Sequence, residues 1–182
     1  MNRILSRLLV LMTAAVLGVA ALGVGAPAWA APSSSCSTPW GSVARSGGGE
    51  PLTPATLTGV RAGRHACFDR LVLDLGNVSA FDSWSVRYAS SVRDVSGERA
   101  IPLRGGAYLA VDVWAHGQTF PRPSREIVTV SGFPTLRQVA WGGSFEGETV
   151  LGVGVRARLP FRAFVLGEGP GARLVLDVAH RW

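Results

Sequence analysis

Beyond position 56, apolar and polar residues alternate along most of the chain with a period of two. In Phe68-Asp69-Arg70-Leu71-Val72-Leu73-Asp74-Leu75, Leu71, Leu73 and Leu75 fall on one face and Arg70, Val72 and Asp74 on the other. That is the pattern of a half-buried strand. Trp84 to Ala89, Tyr108 to Trp114, Glu126 to Val130, Leu136 to Trp141, Thr149 to Arg158, Phe161 to Leu166 and Arg173 to Val178 read the same way. Turn residues separate them, as in Val95-Ser96-Gly97-Glu98 and Gly105-Gly106. After the first thirty residues no window carries a convincing 3.6-residue stripe. Strands recurring every roughly 8 to 12 residues between Gly and Pro turns predict an all-β fold, an antiparallel β-sandwich or barrel.

One segment is nearly repeated: Arg70-Leu71-Val72-Leu73-Asp74-Leu75 returns as Arg173-Leu174-Val175-Leu176-Asp177-Val178. Paired antiparallel and in register, the two copies set Arg70 opposite Asp177, Val72 opposite Val175 and Asp74 opposite Arg173. Parallel pairing would oppose like charges, which is unfavourable. Each favourable pair is worth only about 0.2–1 kcal/mol, so the charges choose an orientation more than they stabilise it. The two segments are therefore expected to be antiparallel neighbours.

The first thirty residues have a different character. Arg3 and Arg7 precede an uncharged run from Leu8 to Gly25, and Ala28-Trp29-Ala30 supplies small residues where a signal peptidase reads them. Residues 1–30 thus look like a secretory signal, cleaved after Ala30. An uncleaved anchor is the rival, since the run is just long enough to span a bilayer, but Gly23, Gly25 and Pro27 weaken helix continuity. No second run of spanning length follows, so no stable membrane insertion is expected after cleavage. Export bears on the cysteines. Cys36 and Cys67 are the only two, and in an oxidising compartment they are expected to form a disulfide. Such a bridge is worth roughly 3 to 4 kcal/mol in the chain-entropy picture. It would tie a Ser/Gly/Pro-rich arm, residues 31–56, to the first strong strand of a β domain spanning 57–182.

Composition and charge narrow the partners. The chain is 47% hydrophobic and 16% charged, which favours a packed core over disorder. Removal of the signal leaves sixteen arginines against twelve acidic residues, a net charge of +4. This mild excess is scattered and the product is exported, so nucleic acid is a poor partner and anionic wall polymers are better ones. Arg156, Arg158 and Arg162 give the segment from Gly154 to Phe164 a basic, alternating character, with Val155, Ala157 and Leu159 turned inward. Arginine forks suit carboxylate and phosphate, and Trp84, Trp114 or Trp141 could offer faces to sugars.

Catalytic signatures are absent. Gly152-Val153-Gly154 with Ala157, and Gly167-Glu168-Gly169 with Ala172, spell a loose dinucleotide fingerprint, but Pro160 and Pro170 oppose the helix it requires. Gly142-Gly143-Ser144-Phe145-Glu146 lacks the glycine of a nucleophile elbow. No metal-ligand set or cofactor motif is present. His65 with Asp69, and His180 with Asp177, could meet at one sheet edge near Arg70, with surface histidines and strand-end salt bridges as the ordinary alternative.

Gly59-Val60-Arg61-Ala62-Gly63-Arg64-His65 with Phe68-Asp69-Arg70, then Val86-Arg87-Tyr88, Pro160-Phe161-Arg162 and Arg173-Leu174-Val175-Leu176-Asp177-Val178-Ala179-His180 together resemble the AMIN-like domain of secreted actinobacterial proteins, over about residues 57–180. The resemblance implies a β-sandwich with an exported, envelope-associated role. The related AMIN domain of cell-wall amidases is an all-β module that directs the enzyme to peptidoglycan or to the division site. The family has no established catalytic residues, so none is carried over.

The expected protein is a secreted, non-enzymatic module that binds a cell-envelope component such as peptidoglycan or an anionic wall polymer. Arg70, Arg156, Arg158 and Arg162 are its candidate contacts, with no cofactor or metal. A module that binds another secreted protein through a sheet edge or apolar patch is the alternative. A small hydrolase using His65 or His180 comes third.

Overall fold

The computed structural model describes residues 36–48, 55–76, 83–117, 126–167 and 169–182. The expected signal segment, residues 1–30, lies outside the described residues, as does part of the arm. Nine strands occur among the described residues: β1 (Arg45–Gly47), β2 (Ala55–Arg64), β3 (Phe68–Gly76), β4 (Trp84–Ala89), β5 (Ala107–Gly117), β6 (Leu136–Phe145), β7 (Glu148–Val155), β8 (Phe161–Leu166) and β9 (Arg173–Ala179). The only helical element among these residues is a 3-10 turn, Gly169–Gly171. The fold is all-β, as the alternation predicts.

The sheet is organised by β5. It runs antiparallel to β4 and to β7, and its last residues, 115–117, take up β2 in parallel. β5 is eleven residues long against six for β4 and eight for β7, so its end outlasts both antiparallel neighbours. β2 pairs with the backbone left there, while the Gly117 amide donates to Ser144 Oγ at 2.8 Å and the Ala115 carbonyl accepts from Thr149 Oγ1 at 2.6 Å. From this junction β7 and β6 extend one way, β4 and β1 another, and β2-β3-β9-β8 form the remaining arc. The result is one mixed sheet, nearly closed into a barrel: of the antiparallel sandwich or barrel that the strand spacing predicts, the barrel is approached, and the β2–β5 pairing adds a parallel step. At the closing seam the Phe161 amide, at the start of β8, donates to the Gly41 carbonyl at 2.8 Å.

Inward side chains from both arcs form one core. Leu71, Leu73 and Leu75 of β3 and Leu174, Leu176 and Val178 of β9 pack with Leu109, Val111 and Val113 of β5 and Leu151, Val153 and Val155 of β7. The repeated segments pair antiparallel in the expected register, with Arg70 opposite Asp177, Val72 opposite Val175 and Asp74 opposite Arg173. Cys36 and Cys67 form the expected disulfide.

Two local expectations are corrected, and the arm adds a short strand. Glu126 to Val130 is not a strand: Glu126 makes a single bridge to Ala140, and the rest is irregular. β7 ends at Val155, because Arg156 to Arg158 turn towards Pro160 and leave the ladder. The arm carries strand β1, which pairs with β4. Gly47 of β1 lies so close over Trp84 that an added Cβ would sit 2.5 Å from the indole nitrogen.

Candidate functional site

Outward positions on β2, β3, β9 and β8 follow from the ladder register. One row runs Gly63, Arg70, Asp177, Arg162; the next runs Arg61, Val72, Val175, Phe164; the third runs Gly59, Asp74, Arg173, Leu166. In the first row the Asp177 carboxylate is completely buried. Arg70 donates to it twice, from Nε at 2.6 Å and from Nη2 at 2.8 Å, and Arg162 Nε donates at 2.9 Å. In the third row Asp74 accepts from Arg61 Nε at 2.8 Å and Nη2 at 3.0 Å, and Arg173 Nε lies 4.0 Å away. The hydrogen bonds to Asp177 raise the Arg70 pKa above its ordinary value, and those to Asp74 do the same for Arg61.

Aromatic rings complete the first row. The Arg162 guanidinium lies 4.5 Å from the Trp40 ring centroid, 5.2 Å from Phe164 and 5.7 Å from Phe68, and Arg70 lies 5.3 Å from Phe68. Trp40 packs edge-on to Phe68, and His65 stacks on it. Trp40 belongs to the arm, and the Cys36–Cys67 disulfide anchors that arm beside Phe68. Rings that hold guanidinium planes in place reduce the rotamer freedom lost when the forks meet an anion.

The four candidate arginines divide into two groups. Arg70 and Arg162 converge on Asp177. Arg156 instead donates to the His180 carbonyl at 2.6 Å, and Arg158 donates to the Ser42 hydroxyl and carbonyl while lying over Tyr88. The Tyr88 hydroxyl donates to the Leu159 carbonyl and accepts from the Leu159 amide, both at 2.9 Å, and burial raises its pKa. Arg156 and Arg158 therefore fasten the β7–β8 turn to its neighbours.

The histidines also separate. His180 Nε2 is 3.0 Å from Asp69 Oδ1, whereas Asp177 is taken by arginines. Asp69 is buried on the inward face of β3, and its Oδ2 accepts from the amides of Thr135 at 2.6 Å and Leu136 at 2.9 Å. The Thr135 hydroxyl donates to the Ala179 carbonyl. The carboxylate of this His–Asp pair is thus committed to backbone amides that pin the start of β6. Among the described residues, no cluster of three His, Cys, Asp or Glu side chains is placed to hold a metal ion.

Sequence reasoning did not select Arg61, Arg173, Trp40 or Phe164 for this face. The charge complementarity of β3 and β9 was the available signal for Asp74 and Arg173. Nothing comparable marks Trp40, which lies in a segment without strand or helix period.

A model of the AMIN-like domain matches residues 55–180. No curated protein and no solved structure matches the chain. The family match takes in strands β2 to β9 and every residue of the arginine–aspartate rows, and the chain belongs to the AMIN-like domain family.

Proposed function

We propose that this chain is an exported, non-catalytic module of the cell envelope that holds an anionic wall polymer on the outer face of β2-β3-β9-β8. Family membership supports an envelope-associated module, and the disulfide agrees with a compartment outside the cytoplasm. The observation that carries the ligand class is the charge count on the face: four arginines share two aspartates. Each aspartate neutralises one of its two arginine neighbours, Asp177 between Arg70 and Arg162 and Asp74 between Arg61 and Arg173, so the face as a whole keeps a net positive charge. Arg70 and Arg162 retain 27% and 41% side-chain exposure with their planes fixed by Asp177 and the rings. Guanidinium edges held this way suit carboxylates, as on peptidoglycan peptides, and phosphates, as on accessory wall polymers.

The test is retention of the oxidised mature chain on purified wall sacculi, with and without chemical removal of their phosphate polymers. Retention is expected to fall as salt rises, and the double variant Arg61→Ala/Arg173→Ala is expected to bind at least tenfold more weakly. Loss of binding on phosphate-stripped sacculi assigns the ligand to phosphate, and persistence assigns it to peptidoglycan carboxylates. Retention no better than that of a charge-scrambled control overturns the proposal. Release of soluble wall fragments by the chain overturns its non-catalytic part.

A further inference from the structure

The outer face of the other arc is built differently and carries a separate cleft. Trp114 occupies an outward position on β5, between inward Val113 and Ala115, and its ladder partner on β7 is Glu148. Ser83, Trp84, Ser85, Asp112, Trp114 and Glu148 line a cleft of about 260 Å³. A second cleft of about 350 Å³ shares Asp112 and Glu148 with it and continues past Ala110 beneath the 91–97 turn. From Trp114 to Ala110 is four strand residues, about 13 Å, so the two clefts form a trough longer than one sugar ring.

Trp114 is not explained by the fold. Trp84 and Trp141 pack against or within the core, and Trp40 packs with Arg162, whereas Trp114 is outside the core cluster. Its buried indole N–H has no partner among the described residues, although buried tryptophans usually find one. Its contribution to the cleft is therefore its ring. Around that ring the polar groups have spare capacity. Asp112 Oδ2 accepts from Ser85 Oγ at 3.0 Å and from Arg87 Nη1, while its Oδ1 makes no hydrogen bond within the described fold. The Glu148 carboxylate is exposed and likewise makes no such bond. The Arg87 charge compensates Asp112, so the trough offers acceptors and an aromatic face without a strong field.

We infer that this face carries a second ligand site, a trough that takes a neutral saccharide chain stacked on Trp114 and hydrogen-bonded to Asp112 and Glu148. A pyranose presents an apolar C–H face to an aromatic ring and donates hydroxyl hydrogens to carboxylate oxygens, which accept only. A cationic ligand would favour uncompensated carboxylates, and here one of the two is already paired. The site is independent of the arginine face, which lies on other strands and works by charge.

Titration of the oxidised mature chain with triacetylchitotriose and with maltotriose, followed by tryptophan fluorescence and amide shifts, tests this. Saturable binding by at least one neutral trimer is expected, insensitive to salt, with the largest shifts at Ser83, Ser85 and Glu148. Trp114→Ala is expected to weaken it at least tenfold and Glu148→Gln about threefold. Trp114→Phe, which keeps a ring, should retain part of the affinity and serves if the alanine variant does not fold. Arg162→Ala should leave trimer binding unchanged, so that failure here and failure on sacculi remain distinguishable. Absence of binding by both trimers, unaltered binding in a folded Trp114→Ala chain, or binding only by fully deacetylated, cationic chitotriose overturns the inference.

Discussion

The two outer faces of this sheet show two ways of covering the back of a strand layer. On β2-β3-β9-β8 the cover is made of charges and rings. Asp177 lies at the bottom, two guanidiniums lie over it, and Trp40, Phe68 and Phe164 hold them flat. On β5-β7-β6 the cover is a length of chain: Val92, Val95, Ile101 and Leu103 pack onto Ala110, Ala140 and Val150 as a second, smaller apolar cluster. Glycines make this possible. Gly142 faces Ile101, Gly152 faces Leu103 and Gly154 lies against the Arg104 carbonyl. The difference teaches which face is free to bind charge. An apolar strap covers the stretch of sheet beneath it without offering cations, whereas a layer of arginines seals the buried aspartate and still presents cationic edges to solvent.

The charge layer breaks most readily at its centre. Asp177→Asn keeps the shape but leaves Arg70 and Arg162 without their common counter-charge over a buried position. Removing one member of a buried ionic group costs about 3–5 kcal/mol, and the lower end applies because both arginines keep contact with water. Chemical denaturation of the two proteins checks the value. The triple variant Arg70→Val/Asp177→Val/Arg162→Val is expected to recover most of the loss, because the desolvation cost leaves with the charges. A loss below about 1 kcal/mol for the single change would show that the rings alone cover this face.

The apolar strap is sensitive in a different place. A Cβ at Gly154 would run into the Arg104 carbonyl oxygen, a backbone atom that can move only with the whole segment. At Gly152 the nearest atom is Leu103 Cδ1 at 2.9 Å, the end of a side chain that can rotate. Gly154→Ala is therefore expected to cost about 1–3 kcal/mol, with Gly152→Ala clearly milder. Amide exchange should report where the damage falls. In Gly154→Ala the Ile101 amide, which donates to Val92 at 2.8 Å, should exchange faster while the β3–β9 ladder keeps its protection. Equal effects of the two glycine changes would remove the distinction between backbone and side-chain contact.

The centre of the arginine face, Arg70 and Arg162 over Asp177, could be read in part from the chain, and the strap could not. β4 and β8 match their predicted spans because period-two runs end at turn residues. The β3–β9 register follows from charges at matched positions. β2 escaped notice because Gly59 and Gly63 interrupt its alternation and a bulge between Leu57 and Gly59 shifts its phase. Arg156 and Arg158 looked continuous with β7 because a basic alternation does not show where a ladder stops. Trp40 reaches Arg162 only through the disulfide and the seam to β8, and Asp69 finds its donors 66 and 67 positions along the chain. Ile101 and Leu103 sit between turn signals, and nothing local says that glycines on β6 and β7 lie beneath them.

The smallest expected effect separates the faces by pH. Asp94, in the turn that begins the strap, accepts from the Ser96 hydroxyl at 2.6 Å and from Arg99 through Nε at 2.9 Å and its amide at 3.3 Å. The Ser96 bond, followed by those of Arg99, lowers its pKa to about 2. An unfolded aspartate titrates near pH 3.9, so the folded chain releases this proton more readily than the unfolded one. The stabilisation is then fully present above about pH 4 and is lost as pH falls through about 2. Asp94→Asn removes it at every pH. The gap in denaturation midpoint between wild type and Asp94→Asn should therefore be constant near neutrality, narrow below about pH 4 and close near pH 2, with exchange changes confined to the strap. A gap that persists unchanged to pH 2 would mean that the turn depends on the two acceptor oxygens of residue 94, one of which asparagine replaces with a donor, and not on their charge.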